Sequence, residues 1–273
     1  MSGGSRPQRV RQAHVEWLLE RLSSRDQAVI FGVGRVRLLT SSQIERLYFP
    51  DLSGRSRSVV RSRVLKRLID WRVLTSLPRR IGGISGGGSA QTVYALDSAG
   101  QSLYAILSQQ TNRTGRIRRP SVPGERFVRH TLTISELYVL AIEAGRSDKM
   151  RLVAFTAEPE AWFPDGLGGL MKPDAYLVVS SGETEDTWAV EVDKATEHVP
   201  ALRRKLTAYL DYVKRGELGP DGVLPRVLIT VPDERRLLAV SGVIAALPEP
   251  ASKLFMVSIE DHAISLVVEV LRE

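Results

Sequence analysis

Apolar residues three and four apart mark helices in the first part of the chain and give way to strand-like runs further on. Val15, Leu18 and Leu22 recur at helical spacing. Ser23 and Ser24 then offer caps for a second short helix containing residues 28–33, whose limits Gly32 and Gly34 blur. Thr40-Ser41-Ser42-Gln43 fits a capping box ahead of Ile44, Leu47 and Tyr48, so another short helix is predicted to start there. Over residues 55–71, Val60, Val64 and Leu68 line one helical face, while Arg57, Arg61, Arg63, Lys66 and Arg67 occupy the others. Two strand-like runs, residues 73–77 and 92–96, flank a stretch with Gly82, Gly83, Gly86, Gly87 and Gly88, the pattern of a hairpin with a glycine-rich tip. Three helices followed by a hairpin predict a winged helix-turn-helix over residues 24–107, closed by a helix over residues 97–107 and preceded by a basic tail and leading helix, residues 1–23.

Residues 108–126 are polar and basic, contain Pro120 and Pro123 and lack apolar periodicity, which predicts a linker. Beyond it the pattern predicts a helix over residues 132–144 and strands over 152–156, 175–179 and 188–193. A helix over 202–213, a strand over 227–231, a helix over 237–247 and a last strand over 255–259 follow. This order indicates an α/β domain with a mixed central sheet over residues 127–273. There is no internal repeat. No apolar run approaches the roughly 20 residues that span a bilayer, and residues 1–12 lack an apolar signal core, so a cytoplasmic protein without membrane association is expected.

Charge sharpens this two-part organisation. The 273 residues carry a formal charge of +7, but residues 1–130 hold 23 basic and 8 acidic side chains, a net +15, whereas residues 131–273 hold 15 and 23, a net −8. The absence of cysteine excludes a disulfide framework and a thiolate metal site. Residues 53–80 alone contain Arg55, Arg57, Arg61, Arg63, Lys66, Arg67, Arg72, Arg79 and Arg80 against one acid, Asp70. The second helix of a helix-turn-helix enters the major groove, where arginines pair with guanine edges and other cations grip phosphates. Double-stranded DNA is therefore the expected partner; a winged helix can also serve protein contacts.

The acidic half carries candidate chemistry. Asp174, in Lys172-Pro173-Asp174, opens an apolar strand, and residues 187–194 read Thr-Trp-Ala-Val-Glu-Val-Asp-Lys. Strand side chains alternate, so Trp188, Val190 and Val192 share one face while Glu191 and Asp193 share the other. If the two strands are hairpin neighbours, Asp174 joins Glu191 and Asp193 in a cluster of oxygen ligands. Carboxylates so close resist joint ionisation, a divalent cation relieves them, and hard oxygen donors favour Mg2+ or Mn2+. The same pattern also fits a solvated acidic face. Other chemistries lack their residues: neither Gly-x-x-x-x-Gly-Lys-[Ser/Thr] nor Gly-x-Ser-x-Gly occurs, His198 and His262 have no zinc-ligand spacing, and the His-hydrophobic-His clamp of rolling-circle relaxases is missing.

Glu136 on a helix, the Pro173-Asp174 pair and Glu191-Val192-Asp193-Lys194 together resemble the PD-(D/E)XK, restriction-endonuclease-like nuclease fold. The winged helix followed by Glu191, Asp193, Thr196 and Glu197, in a Glu-x-Asp-x-x-Thr-Glu pattern, is similar to the replication-relaxation family of plasmids and integrative elements, over roughly residues 24–260. The resemblance implies DNA strand cleavage: Asp174 and Glu191 hold the metal, Glu136 assists from the first helix, and metal-activated water attacks a phosphodiester. It also implies a nickase or endonuclease role at an origin of replication or conjugative transfer, beside the replication or transfer machinery. The chain departs from the usual motif in one place. Asp193 stands where lysine follows the acid by two residues, and Lys194 falls on the opposite face. In related nucleases a Gln or Lys and a Tyr four apart on the next helix support the site. Lys205 and Tyr209 match that spacing, so Lys205 is the candidate substitute and Lys172 a weaker one. Lys205 also fits a solvated surface position, and Tyr209, in line with Leu202, Leu206 and Val213, fits a core position. The absent motif lysine keeps open a second reading, a non-catalytic regulator or accessory factor on a nuclease-like scaffold. A palindromic target would require a homodimer.

Overall fold

The structure, a computed structural model, describes residues 12–81, 91–108, 123–147 and 149–272. The glycine-rich tip and most of the expected linker lie outside the described residues. Contacts divide the chain into two units, one ending at Ser135 and the other beginning at Glu136.

The first unit opens with α1 (Gln12–Leu19) and α2 (Ser24–Val36). Ser23 caps α2 by a reciprocal box in which its hydroxyl accepts the Asp26 N–H and the Asp26 carboxylate accepts the Ser23 N–H. The helix runs unbroken through Gly32 and Gly34. A Cβ at Gly32 would stand 1.6 Å from the Tyr48 hydroxyl, and one at Gly34 would stand 2.3 Å from the Tyr104 ring. These glycines serve close packing at the expense of helix propensity. A two-residue strand, β1 (Leu39–Thr40), leads into α3 (Ser41–Tyr48), which starts at the Thr40–Gln43 capping box expected from sequence. The basic helix, α4 (Gly54–Asp70), buries Val64, Leu65 and Leu68. Strands β2 (Leu74–Ile81) and β3 (Gln91–Leu96) pair antiparallel, with β1 on the far side of β3. The register shifts between Ser76 and Arg80, the stretch containing Pro78, which has no N–H to give the ladder. Asp97 caps α5 (Ser98–Leu107).

The next helix, α6 (Glu125–Arg146), begins seven residues before the apolar pattern suggested. Val128 and Leu132, four apart, bury with Leu38, Val93 and Ala95, so the helical period starts one step earlier than Leu132, just past the basic stretch. The division between the units falls within α6. In the second unit its Tyr138 packs on Phe155.

The second unit continues with β4 (Arg151–Ala157), a small hairpin of β5 (Phe163–Pro164) and β6 (Leu170–Met171), β7 (Ala175–Ser181) and β8 (Thr184–Val192). Then come α7 (Val199–Lys214), β9 (Arg226–Val231), α8 (Glu234–Ala245), α9 (Ala251–Leu254), β10 (Phe255–Ile259) and α10 (Ala263–Val270). The five-stranded sheet has the order β10-β9-β8-β7-β4 and is mixed: β10, β9 and β8 run parallel, while β7 is antiparallel to both β8 and β4. Each parallel step needs a crossover, α7 for the first and α8 with α9 for the second. Leu202, Leu206 and Tyr209 from α7 and Val240 and Val243 from α8 bury against Tyr176, Val178, Ala189 and Ile229 of the sheet. Central β8 is paired on both sides and buried from Thr187 to Val192, with Trp188 fully enclosed. The C-terminal helix α10, mostly Ile, Val and Leu, was not anticipated; Ile264, Val267 and Val268 bury at helical spacing. No described helix is long and apolar enough to cross a membrane.

Candidate functional site

Glu191 sits near the end of β8, on the sheet face that α7 covers, and is 4% exposed. The β7–β8 ladder ends with Ala175 opposite Val190, so Asp174, the residue before β7, lies at the same end of the strand pair as Glu191, close enough for its charge to act on the Glu191 carboxyl. The Asp174 N–H donates to the Val190 carbonyl at 2.9 Å, and the Val192 N–H donates to Asp174 Oδ2 at 2.7 Å. The side chain thus completes the ladder where β7 begins, and its carboxylate is fixed to the backbone beside Glu191.

From α7, one turn apart on one face, Lys205 Nζ donates to Glu191 Oε2 at 3.0 Å and the Tyr209 hydroxyl donates to Glu191 Oε1 at 2.6 Å. Lys205 also stands 3.6 Å from Glu197 Oε1. Tyr209 is therefore both a core residue and the hydrogen-bond partner of the buried acid. Each Glu191 oxygen accepts one hydrogen bond here and keeps a second lone pair.

Burial pushes the Glu191 carboxyl up to about 7, outweighing the Lys205 ammonium that favours the charged form, and the neighbouring Asp174 adds to the rise. Burial alone would lower Lys205, but Glu191, with Glu197 and Asp174 behind it, holds its ammonium above the ordinary lysine range. The Tyr209 phenol is raised well above its usual value, by burial and then by the Glu191 charge.

The folded protein thus keeps the Glu191 proton to about pH 7, whereas an exposed glutamate loses it near 4.5. Raising the pH through that window favours the unfolded chain, which binds fewer protons there. Urea unfolding of wild type and Glu191→Gln between pH 4.5 and 8 is expected to show a stability loss of up to about 1.4 kcal/mol per pH unit in wild type alone. Parallel profiles would contradict the raised carboxyl.

The other acids and lysines proposed from sequence occupy different surroundings. Asp193 lies on the Glu191 face, as alternation requires, but its Oδ2 accepts Arg236 Nε at 2.9 Å and Nη2 at 2.6 Å, and its Oδ1 accepts the Ala195 N–H at 2.7 Å. Lys194, on the opposite face, pairs with Glu260 at 2.7 Å. Lys172 lies over the Trp162 ring at 5.0 Å. Glu136 stands half-buried on α6. Arg236, missed from sequence, lies 43 positions beyond its acid, so no local spacing announces the pair.

In the first unit, the basic residues of α4 divide by surroundings. Arg55 and Arg63 are exposed, and Lys66, also exposed, makes a surface pair with Asp70 at 2.7 Å. Arg61 is instead bound to Glu45 of α3. Arg67 grips Asp26 of α2 with contacts of 2.6 and 2.8 Å and lies over the Trp71 ring. Arg57 Nε donates to the Leu52 carbonyl. Arg79 and Arg80 fall on β2, with side chains outside the described residues.

A family model described as replication-relaxation matches residues 32–227, a span that takes in α4 and the Asp174, Glu191, Lys205 and Tyr209 positions. Neither the curated proteins nor the solved structures contain a match to the chain.

Proposed function

Because the chain belongs to the replication-relaxation family, we propose that it is a site-specific double-stranded DNA-binding protein of a plasmid or integrative element whose second unit is a metal-dependent nickase or endonuclease of PD-(D/E)XK type. The observation that carries the reading is the closeness of Asp174, whose Oδ2 accepts the Val192 N–H, to the buried Glu191, with Lys205 Nζ at 3.0 Å from Glu191. Two neighbouring acids at one end of a central strand pair, with a cation supplied by the covering helix, bring together the groups that phosphodiester hydrolysis needs.

The donor set fits a hard divalent cation. Asp174, just before β7, and Glu191, on β8, offer carboxylate oxygens, and the buried Glu191 carboxyl, raised first by burial and further by Asp174, is one whose charged form a second positive charge would favour. Mg2+ or Mn2+ held by these two residues would supply Lewis-acid stabilisation of charge on the phosphate. The chain's own groups do the rest. Tyr209 fixes the rotamer of Glu191, and Lys205, charged at neutral pH, lies where it can pair with a phosphate oxygen or orient a water. Lys205 fills the part of the motif lysine from α7.

DNA recognition falls to the first unit, read as a winged helix whose α4 enters the major groove. Arg55, Arg63 and Lys66 are its exposed cations, whereas Arg61 and Arg67 hold α4 to α3 and α2. Arg63→Ala is expected to weaken duplex binding and to flatten the slope of log affinity against log salt by about one unit. Arg61→Ala is expected to lower stability through Glu45 while leaving that slope within error. Equal slope changes in both would return Arg61 to the DNA surface.

The activity test is incubation of wild-type protein with supercoiled plasmid carrying the cognate origin, with and without Mg2+ or Mn2+. The reading expects open-circular product only with metal. Tight duplex binding without any nicking, in either metal, would favour the second reading, a DNA-binding accessory on a nuclease-like scaffold. The ion pair that occupies Asp193 is the observation on that side.

A further inference from the structure

The turn after β8 is held by an arginine that lies outside the segment matched to the family. Arg236, in the first turn of α8, is 12% exposed and its partner Asp193 is 5% exposed. Besides its two contacts to Asp193 Oδ2, Arg236 Nη2 donates to the Glu197 carbonyl at 2.9 Å. The Asp193 backbone is tied to the sheet through Thr230, and Ala195, its side-chain partner, has φ of 56°, a left-handed conformation that a non-glycine residue adopts only when surrounding contacts enforce it. This turn delivers Glu197 to within 3.6 Å of Lys205, whose ammonium also holds Glu191.

We propose that Arg236 is a positioning residue for the Glu191 site: its guanidinium makes Asp193 an anchor instead of an ion ligand, and it sets the 193–197 turn so that Glu197 is the further carboxylate presented to Lys205. A divalent ion seeking Asp193 would have to displace a guanidinium that gives two N–H groups to one oxygen, and it would meet that guanidinium's positive charge. Glu197 is connected to the site in another way. Its backbone carbonyl is held by Arg236, while its side chain reaches Lys205, the lysine that contacts the buried acid. The fork geometry matters, since lysine at 236 would keep the charge but could not reach Asp193 and the Glu197 carbonyl together.

The inference rests on the cation-site reading in its metal arm and is independent of it in the other. The full-length chain is compared with Arg236→Ala, Arg236→Lys, Asp193→Asn and Glu197→Gln. The first arm is competitive amine labelling of Lys205 at pH 8, read by mass spectrometry. Labelling is expected to rise at least roughly threefold in Arg236→Ala and in Glu197→Gln, because the Glu197 carboxylate that pairs with Lys205 Nζ and shields it from reagent is displaced or lost. About 20 mM guanidinium is expected to return Arg236→Ala, but not Glu197→Gln, toward the wild-type rate, and Arg236→Lys is expected to lie between wild type and Arg236→Ala. The lysine variant keeps the comparison available should the alanine variant fail to fold. The second arm is Mn2+ binding followed by electron paramagnetic resonance. Asp193→Asn is expected to keep its affinity within about threefold of wild type, where Asp174→Ala loses it. In nicking assays, Arg236→Ala is expected to lower kcat with little change in KM for DNA.

Unchanged Lys205 labelling in Arg236→Ala and Glu197→Gln would overturn the inference, as would loss of Mn2+ in Asp193→Asn equal to that in Asp174→Ala. A wild-type protein that neither binds Mn2+ nor nicks DNA would remove the cation reading, while the labelling arm would still decide the role of Arg236.

Discussion

Asp174→Ala and Glu191→Ala are each expected to reduce metal-dependent nicking of supercoiled DNA by a factor on the order of 10²–10³ or more, the size of loss when a pre-organised charge-stabilising group is removed. The two acids lie close together at one end of β7 and β8; Asp193 is engaged by Arg236 and Glu197 lies beyond Lys205, while Glu158, with a carboxylate oxygen within 4.8 Å of one of Asp174, is the acid placed to recover part of the loss. Duplex binding, assigned to α4, is expected to be retained in both variants. The stability effects differ in origin. Glu191→Ala removes a buried acid that resists ionisation but takes the hydrogen bond from Tyr209 and leaves Lys205 to Glu197, whereas Asp174→Ala removes a bond to the Val192 N–H. A circular dichroism melt run beside the nicking assay separates lost chemistry from lost fold. Nicking that survives in both folded variants would show that these acids do not form the reacting centre.

Asp26→Ala is expected to destabilise the first unit by roughly 2 to 4 kcal/mol, the largest stability effect of a single substitution there. Asp26 is 1% exposed, receives both contacts from Arg67, and also closes the capping box at Ser23. Its removal uncaps α2 and leaves a partly desolvated guanidinium without a counter-charge. The half-exposed Arg67 can recover some hydration, which keeps the cost below that of a fully buried pair. Arg67→Ala is expected to cost a comparable amount, because it strands the buried Asp26 carboxylate. Urea unfolding followed by near-ultraviolet circular dichroism checks both. A change below about 0.5 kcal/mol, the range of ordinary surface substitutions, would mean that Arg67 is available to DNA after all.

Local patterns made much of this architecture legible. The Thr40–Gln43 box marked the start of α3, and strict alternation through residues 187–193 put Glu191 and Asp193 on one sheet face, with Lys194 on the other. The mixed sheet followed from strands close enough to be hairpins interspersed with strands that need helical crossovers. Long-range pairing was not legible. Arg61 and Arg67 read as DNA cations because charge clustering is visible in a sequence, whereas their acidic partners, Glu45 and Asp26, lie on other helices. Asp193 read as an ion ligand for the same reason. Gly32 and Gly34 blur the limits of α2 in the sequence, and only the Tyr48 and Tyr104 rings packed beside them explain glycine there. The β-branched run of α10 hid a helix, since burial on one side and its period of three to four outweigh the strand preference of Ile and Val.

The claim on which the functional account turns is that Asp174 and Glu191 form one cation seat beside Lys205. Titration of the full-length protein with Mn2+ at pH 8, followed by electron paramagnetic resonance of the free ion, measures it directly. The account predicts one Mn2+ per chain, lost in Asp174→Ala and in Glu191→Ala while both stay folded. A wild-type chain that leaves all Mn2+ free, or a bound ion indifferent to both substitutions, would contradict it.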